Sequence, residues 1–132
     1  MKLRMMLVSL GMVLATTVAV QAQTPNLPPP TPSPAVQGLD GRWEGAIETP
    51  QGPLTAVFRI KTEGDKTTTL MDSPMQDVEG IPAIAKRDGN GVVIEVPLVN
   101  GDFTGEVSAD GAKMSGVWHQ NGMELATAVE RK

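Results

Sequence analysis

The chain has 132 residues, with 11 Lys and Arg against 15 Asp and Glu for a net charge of −4, a single His and no Cys. The absence of cysteine excludes a disulfide, a thiol nucleophile and a lipid-modified N-terminal cysteine, and leaves a structural zinc site without its usual ligands. Basic residues are nowhere clustered, so no nucleic-acid partner is expected, and no membrane partner beyond a signal peptide.

Lys2 and Arg4 precede an apolar run from Met5 to Val20, and Val20-Gln21-Ala22 offers a small residue at the position before cleavage. This pattern predicts a signal peptide over residues 1–22 and export to the periplasm or medium. The run falls short of the ~20 apolar residues of a spanning helix. Ser9, Gly11, Thr16 and Thr17 also interrupt it. Lys2 and Arg4 leave with the leader, so nine basic residues face 15 acidic ones in the mature chain, a balance of −6. Residues 23–38 are rich in proline and poor in large apolar side chains, which predicts a disordered, semi-rigid linker. The folded domain is then expected to span residues 39–132.

That domain carries no helical periodicity. Leu54, Ala56, Phe58 and Ile60 alternate with Thr55, Val57, Arg59 and Lys61, the period of two of a half-buried strand. The same alternation recurs over residues 92–96 and 123–130. Turn signals separate the runs at Gln51-Gly52-Pro53, Glu63-Gly64-Asp65, Asp88-Gly89-Asn90-Gly91, Asn100-Gly101, Asp110-Gly111 and Asn121-Gly122. Eight strands are expected: 42–49, 54–61, 67–73, 81–87, 92–97, 102–108, 113–120 and 123–131. The predicted fold is all-β, a small antiparallel eight-stranded up-and-down barrel of lipocalin-like form.

Gly41-Arg-Trp43-Glu-Gly45 is echoed by Phe103-x-Gly105 and Gly116-x-Trp118. Residues two apart share a strand face, so Trp43, Phe103 and Trp118 each sit beside a glycine on the inner wall, with Phe58 facing them. Glycine at such positions suggests a sharp bend, or a ring lying against bare backbone. The stretch from Asp72 to Pro82, with two prolines and three acids, is longer than a hairpin turn. Asp72, Ser73, Pro74, Gln76, Gly80, Ile81 and Pro82 therefore form the candidate recognition loop, with a plain crossover over the barrel end as the alternative.

The ordered set Gly41-x-Trp43-x-Gly45, the Leu54–Ile60 strand, Asp72-Ser73-Pro74-x-Gln76, Gly80-Ile81-Pro82, Phe103-x-Gly105, Gly116-x-Trp118-x-Gln120 and Gly122 resembles the β-domain that precedes the catalytic domain in secreted bacterial α/β-hydrolases. The sequence stops where such a hydrolase would begin, and Met75 and residues 77–79 depart from the pattern. The resemblance implies a non-catalytic accessory role, with a separately encoded hydrolase as partner or this chain as the N-terminal part of one. A lesser similarity is to lipocalin-like barrels, which open with Gly-x-Trp and lay a late arginine across the indole. Here Arg131 is in place to stack on Trp43, a contact of about 0.5–2 kcal/mol.

Reactive constellations are scarce. His119 follows inward Trp118 and so points outward, and no serine lies in a Gly-x-Ser-x-Gly elbow. Asp88-Gly-Asn-Gly starts like a calcium loop, but Val92 stands where an oxygen ligand belongs. The chain is thus expected to be no enzyme and to need no cofactor or metal. Two readings remain: docking to a protein through the 72–82 loop and barrel rim, and, alternatively, carriage of a small apolar ligand inside the barrel beside Gly45, Ala56, Gly105 and Gly116. Close packing favours a filled interior at those positions.

Overall fold

The computed structural model describes residues 27–30 and 32–132; the expected signal peptide and residues 23–26 and 31 of the expected linker lie outside them. Eight strands follow in chain order: β1 (Gly41–Thr49), β2 (Gly52–Glu63), β3 (Lys66–Ser73), β4 (Val78–Asp88), β5 (Gly91–Val96), β6 (Gly101–Val107), β7 (Lys113–Gln120) and β8 (Met123–Arg131). Each pairs antiparallel with its neighbours in sequence, and β8 returns to pair with β1 from Thr127 opposite Ile47 to Arg131 opposite Trp43. The sheet is a closed up-and-down barrel, the expected fold; alternation and turn spacing suit a sandwich equally, and the β8–β1 pairing decides for the barrel. Closure leaves no long free edge for another chain to extend.

The turns obey the local chemistry. Asn121 and Gly122 take φ of 52° and 77°, the paired left-handed conformation of a tight hairpin, and bring Gln120 opposite Met123. Inward positions form one continuous core in which Trp43, Phe58, Ile94 and Phe103 have no exposed surface and Trp118 has 2%. The Phe58 and Phe103 rings meet at 6.1 Å with a 40° tilt, filling the middle of the barrel.

Of the two expected roles of the glycines, the ring lying on bare backbone is present, and a close approach of adjoining strands accompanies it. A Cβ at Gly101 would strike the Trp118 ring, so that indole lies on bare backbone. A Cβ at Gly45 would strike the backbone of Ala128 and Val129, and one at Gly116 that of Thr104 and Gly105. Here adjoining strands approach too closely for any side chain. Ring and backbone atoms thus take up the space beside Gly45, Gly105 and Gly116, the space in which the sequence had suggested a ligand.

One end of the barrel is shut. Trp43 Nε1 donates to Leu39 O at 2.9 Å, and the Arg131 guanidinium lies 4.4 Å from the indole centroid. Arg131 also donates to the carbonyls of Gly38, Asp40 and Gly111, tying the start of the domain to its end. The residues before Gly38 take part as well. Ser33–Pro34 pairs with Thr67 and Lys66 where β3 and β4 diverge, Val36 N donates to Thr67 Oγ1 at 2.8 Å, and Val36 is 6% exposed. The expected free linker therefore does not extend to residues 33–38, which are folded onto the barrel. Val36 and Leu39 supply the apolar cover that the shut end needs, and two apolar residues spaced in this way are too few to register as a strand.

The expected loop over residues 72–82 is corrected more substantially. Asp72 and Ser73 finish β3, Pro74–Gln76 make one 3-10 turn, Asp77 turns the chain with φ of 56°, and β4 begins at Val78. The register shifts between Met71 and Ser73, a bulge that bends the strands, and Gly80 takes φ of 76°. Glycine and proline, which ordinarily punctuate strands, are accommodated inside one where a bulge distorts the ladder. Pro82 sits opposite Leu70. No long loop remains.

Candidate functional site: the open barrel mouth

In an antiparallel meander alternate turns fall at the same end. The β1–β2, β3–β4, β5–β6 and β7–β8 connections therefore gather opposite the shut end. The second and third of these are 3-10 turns, Pro74–Gln76 and Pro97–Val99, each opened by proline and closed by a left-handed residue.

A cavity of about 250 Å³ opens between them, lined by residues of the first three of these connections and by Gln120 and Met123 on either side of the fourth. Its wall and floor are Ile47, Leu54, Met71, Ile81, Leu125 and Trp118, and its rim carries Thr49, Gln51, Ser73, Gln76 and Gln120. By volume it would hold about eight waters. Trp118 forms the boundary between this space and the filled core. Its Nε1 donates to Gln120 Oε1 at 2.9 Å, while Gln120 Nε2 donates to Val99 O at 2.8 Å. An indole N–H can only donate and a carbonyl can only accept, so the Gln120 amide orientation is fixed by its partners. Larger grooves of about 540 Å³ lie on the outer wall, one beside residues 33–37 and another beside Asp40–Arg42, but they are shallow and carry charged side chains.

The candidate recognition residues divide between the wall and the rim. Asp72, Ser73, Ile81 and Pro82 are buried, Gly80 is half-buried, and Pro74 and Gln76 are exposed. Ser73 and Gln76 belong to the mouth, where Ser73 Oγ donates to Gln76 Oε1 at 2.7 Å; Ile81 lies in its wall. Asp72 points to the outer face. It accepts from Arg59 Nε at 2.8 Å, from Arg59 Nη2 at 2.7 Å and from Gly80 N at 2.8 Å, so its carboxylate joins three strands across the bulge. The hydrogen bond with Asp72 raises the Arg59 pKa, against the opposing effect of partial burial. Asp72→Ala should cost about 1–3 kcal/mol in urea unfolding, because it strands the Gly80 N–H and the guanidinium together. Asp72→Asn should recover part of that loss.

Compared with known proteins, the chain matches no family model, and no curated protein matches its sequence. The geometry of its own residues therefore carries the functional argument.

Little of that geometry is reactive. His119 lies on the outer wall with Nδ1 3.3 Å from Asp102 Oδ2 and Nε2 3.6 Å from Glu124 Oε2, its side chain 39% exposed. Ser115 is four residues away on the same strand face, about 13 Å along the strand. A serine nucleophile would need His119 beside it, but Ser73 and Ser108 bond to Gln76 and Asp110. Among the described residues no group of three or more His, Asp or Glu is placed to hold a metal ion. His119→Ala should shift the unfolding free energy by no more than about 0.5 kcal/mol, since both flanking contacts are solvent-exposed. A loss of several kcal/mol would refute that placement.

The sequence pointed to Trp118 but not to the cavity above it. Leu54 and Leu125 read as ordinary inward strand residues, and Gln120 as the last residue before a hairpin. Only their position near one end of the strands, which no periodicity reveals, makes them a lining.

Proposed function

We propose that this chain is an exported, non-catalytic binding protein that holds a small apolar molecule in the open mouth of its barrel. The observation that carries the reading is the cavity of about 250 Å³ above Trp118, walled by aliphatic side chains and rimmed by uncharged polar ones. Small-molecule sites have this composition: an apolar wall for affinity and a few polar groups for orientation. Eight strands is also the size at which a barrel can hold one small ligand.

The fluorescence of N-phenyl-1-naphthylamine, an uncharged apolar probe, should rise saturably with the protein. Leu125→Trp, which fills the mouth, should abolish the rise while leaving the melting temperature close to that of the parent chain. Absence of saturable binding, or equal binding by a folded Leu125→Trp variant, would refute the reading.

A second reading, docking of a protein partner at the rim, draws on the exposed apolar side chains Met75 (64%) and Met123 (44%) at the same end. A separately encoded α/β-hydrolase is the partner that the sequence resemblance suggests. Unchanged capture of that hydrolase by a Met75→Ser, Met123→Ser variant would count against this reading.

A further inference from the structure

The charges of this protein are distributed unevenly, and the mouth has none of them. One residue in five is charged, yet no side chain lining the mouth is ionisable. By contrast, the groove beside residues 33–37 includes Lys86 and Arg87, and the groove beside Asp40 includes Arg42, Arg59, Lys61 and Glu63. The mouth lacks the one feature that a carboxylate or sulfonate ligand requires, a cation at its rim. The field of the rest of the molecule adds to this, because acidic side chains outnumber basic ones overall.

The polar groups at the rim are already partly engaged. Gln120 Oε1 accepts from Trp118 and its Nε2 donates to Val99, which leaves one amide hydrogen of Gln120 for a ligand. Gln76 Oε1 accepts from Ser73 Oγ, and among the described residues no acceptor takes the hydrogens of Gln76 Nε2. Both amides therefore offer neutral donors, suited to a carbonyl, ester or ether oxygen. Neither offers the full positive charge that would compensate the desolvation of an anion.

We infer that the mouth selects uncharged apolar molecules bearing a hydrogen-bond acceptor and rejects anionic amphiphiles such as fatty carboxylates. The inference rests on the reading that the mouth is a ligand site, and it adds the class of ligand.

Two probes with one skeleton test it: N-phenyl-1-naphthylamine and its 8-sulfonate. At low ionic strength, the dissociation constant of the sulfonate should exceed that of the amine by at least about tenfold, the consequence of an unpaired charge at a desolvated site. Gln51 is exposed on the rim, and Gln51→Lys places one cation there. That substitution should narrow the gap by about fivefold, the effect of one unit charge acting across ~4 Å of water, and added salt should restore it. Steric exclusion of the bulkier sulfonate would leave the gap unchanged in Gln51→Lys, and that result overturns the inference. Equal binding of both probes by the parent chain overturns it too while leaving the ligand reading intact. Failure of both probes to bind overturns both.

Discussion

Trp43→Ala is expected to lower the unfolding free energy by about 3–5 kcal/mol, the range for emptying a fully buried large aromatic site. Three contributions act together. The indole has no exposed surface, so its whole apolar area returns to water. Its Nε1 bond to Leu39 O is lost, leaving a buried carbonyl to find another donor. The Arg131 guanidinium, stacked at 4.4 Å, loses the surface that orients it towards the carbonyls of Gly38 and Asp40. A small domain without disulfides has of the order of 5–15 kcal/mol in total, so a substantial unfolded fraction should be visible at moderate temperature. Trp43→Phe keeps much of the packing and a face for Arg131 but cannot donate to Leu39, and it should fall between the two. Equilibrium urea unfolding of the three proteins checks the order. If Trp43→Ala unfolds at the same urea concentration as the parent chain, the account of the shut end is wrong.

Gly45→Val is expected to have a comparable effect by the opposite route. Gly45 pairs with Ala56 on one side and Val129 on the other, in the seam where the last strand returns to the first. A Cβ there would meet the carbonyl oxygen of Ala128 and the Cα of Val129, which are backbone atoms that no rotamer change can move. Ordinary overpacking costs about 1–3 kcal/mol because side chains can shift. Backbone obstruction at a closure seam should reach or exceed the top of that range. The seam should also exchange its amide hydrogens faster, with protection lost first over residues 127–131, whereas Trp43→Ala should loosen the residues around Gly38 to Gly41. Gly122→Ala, where a Cβ meets nothing within 4 Å but φ is 77°, separates the two sources of glycine dependence, since only backbone strain acts there.

How far the fold was legible follows from the range of each signal. Strand positions come from period-two alternation and from turn residues that tolerate positive φ, both of which are local; β7, between Asp110-Gly111 and Asn121-Gly122, and β8, after the second of these turns, were placed to the residue. The stretch from Asp72 to Pro82 misled for the same reason. Two prolines and a glycine are strong local markers of a loop, and the bulge that admits them into a strand depends on the pairing of Met71 with Ile81 and of Ser73 with Val78. Residues 33–38 were equally opaque, because Val36 and Leu39 gain their role only once a barrel end exists for them to cover.

Composition and residue pattern by themselves determined the absence of cysteine chemistry, the acidic balance, the all-β class, the number of strands and the inward direction of both indoles. These are properties of single residues and their near neighbours, and they need no knowledge of what lies across the chain. Tertiary structure alone decided which end is shut and which is open, that the space beside the glycines is filled while the space above Trp118 is not, and that the rim there is uncharged. Such features arise from side chains distant in sequence and brought together when β8 pairs with β1, and the free volume left between them is a property of that closure rather than of any segment.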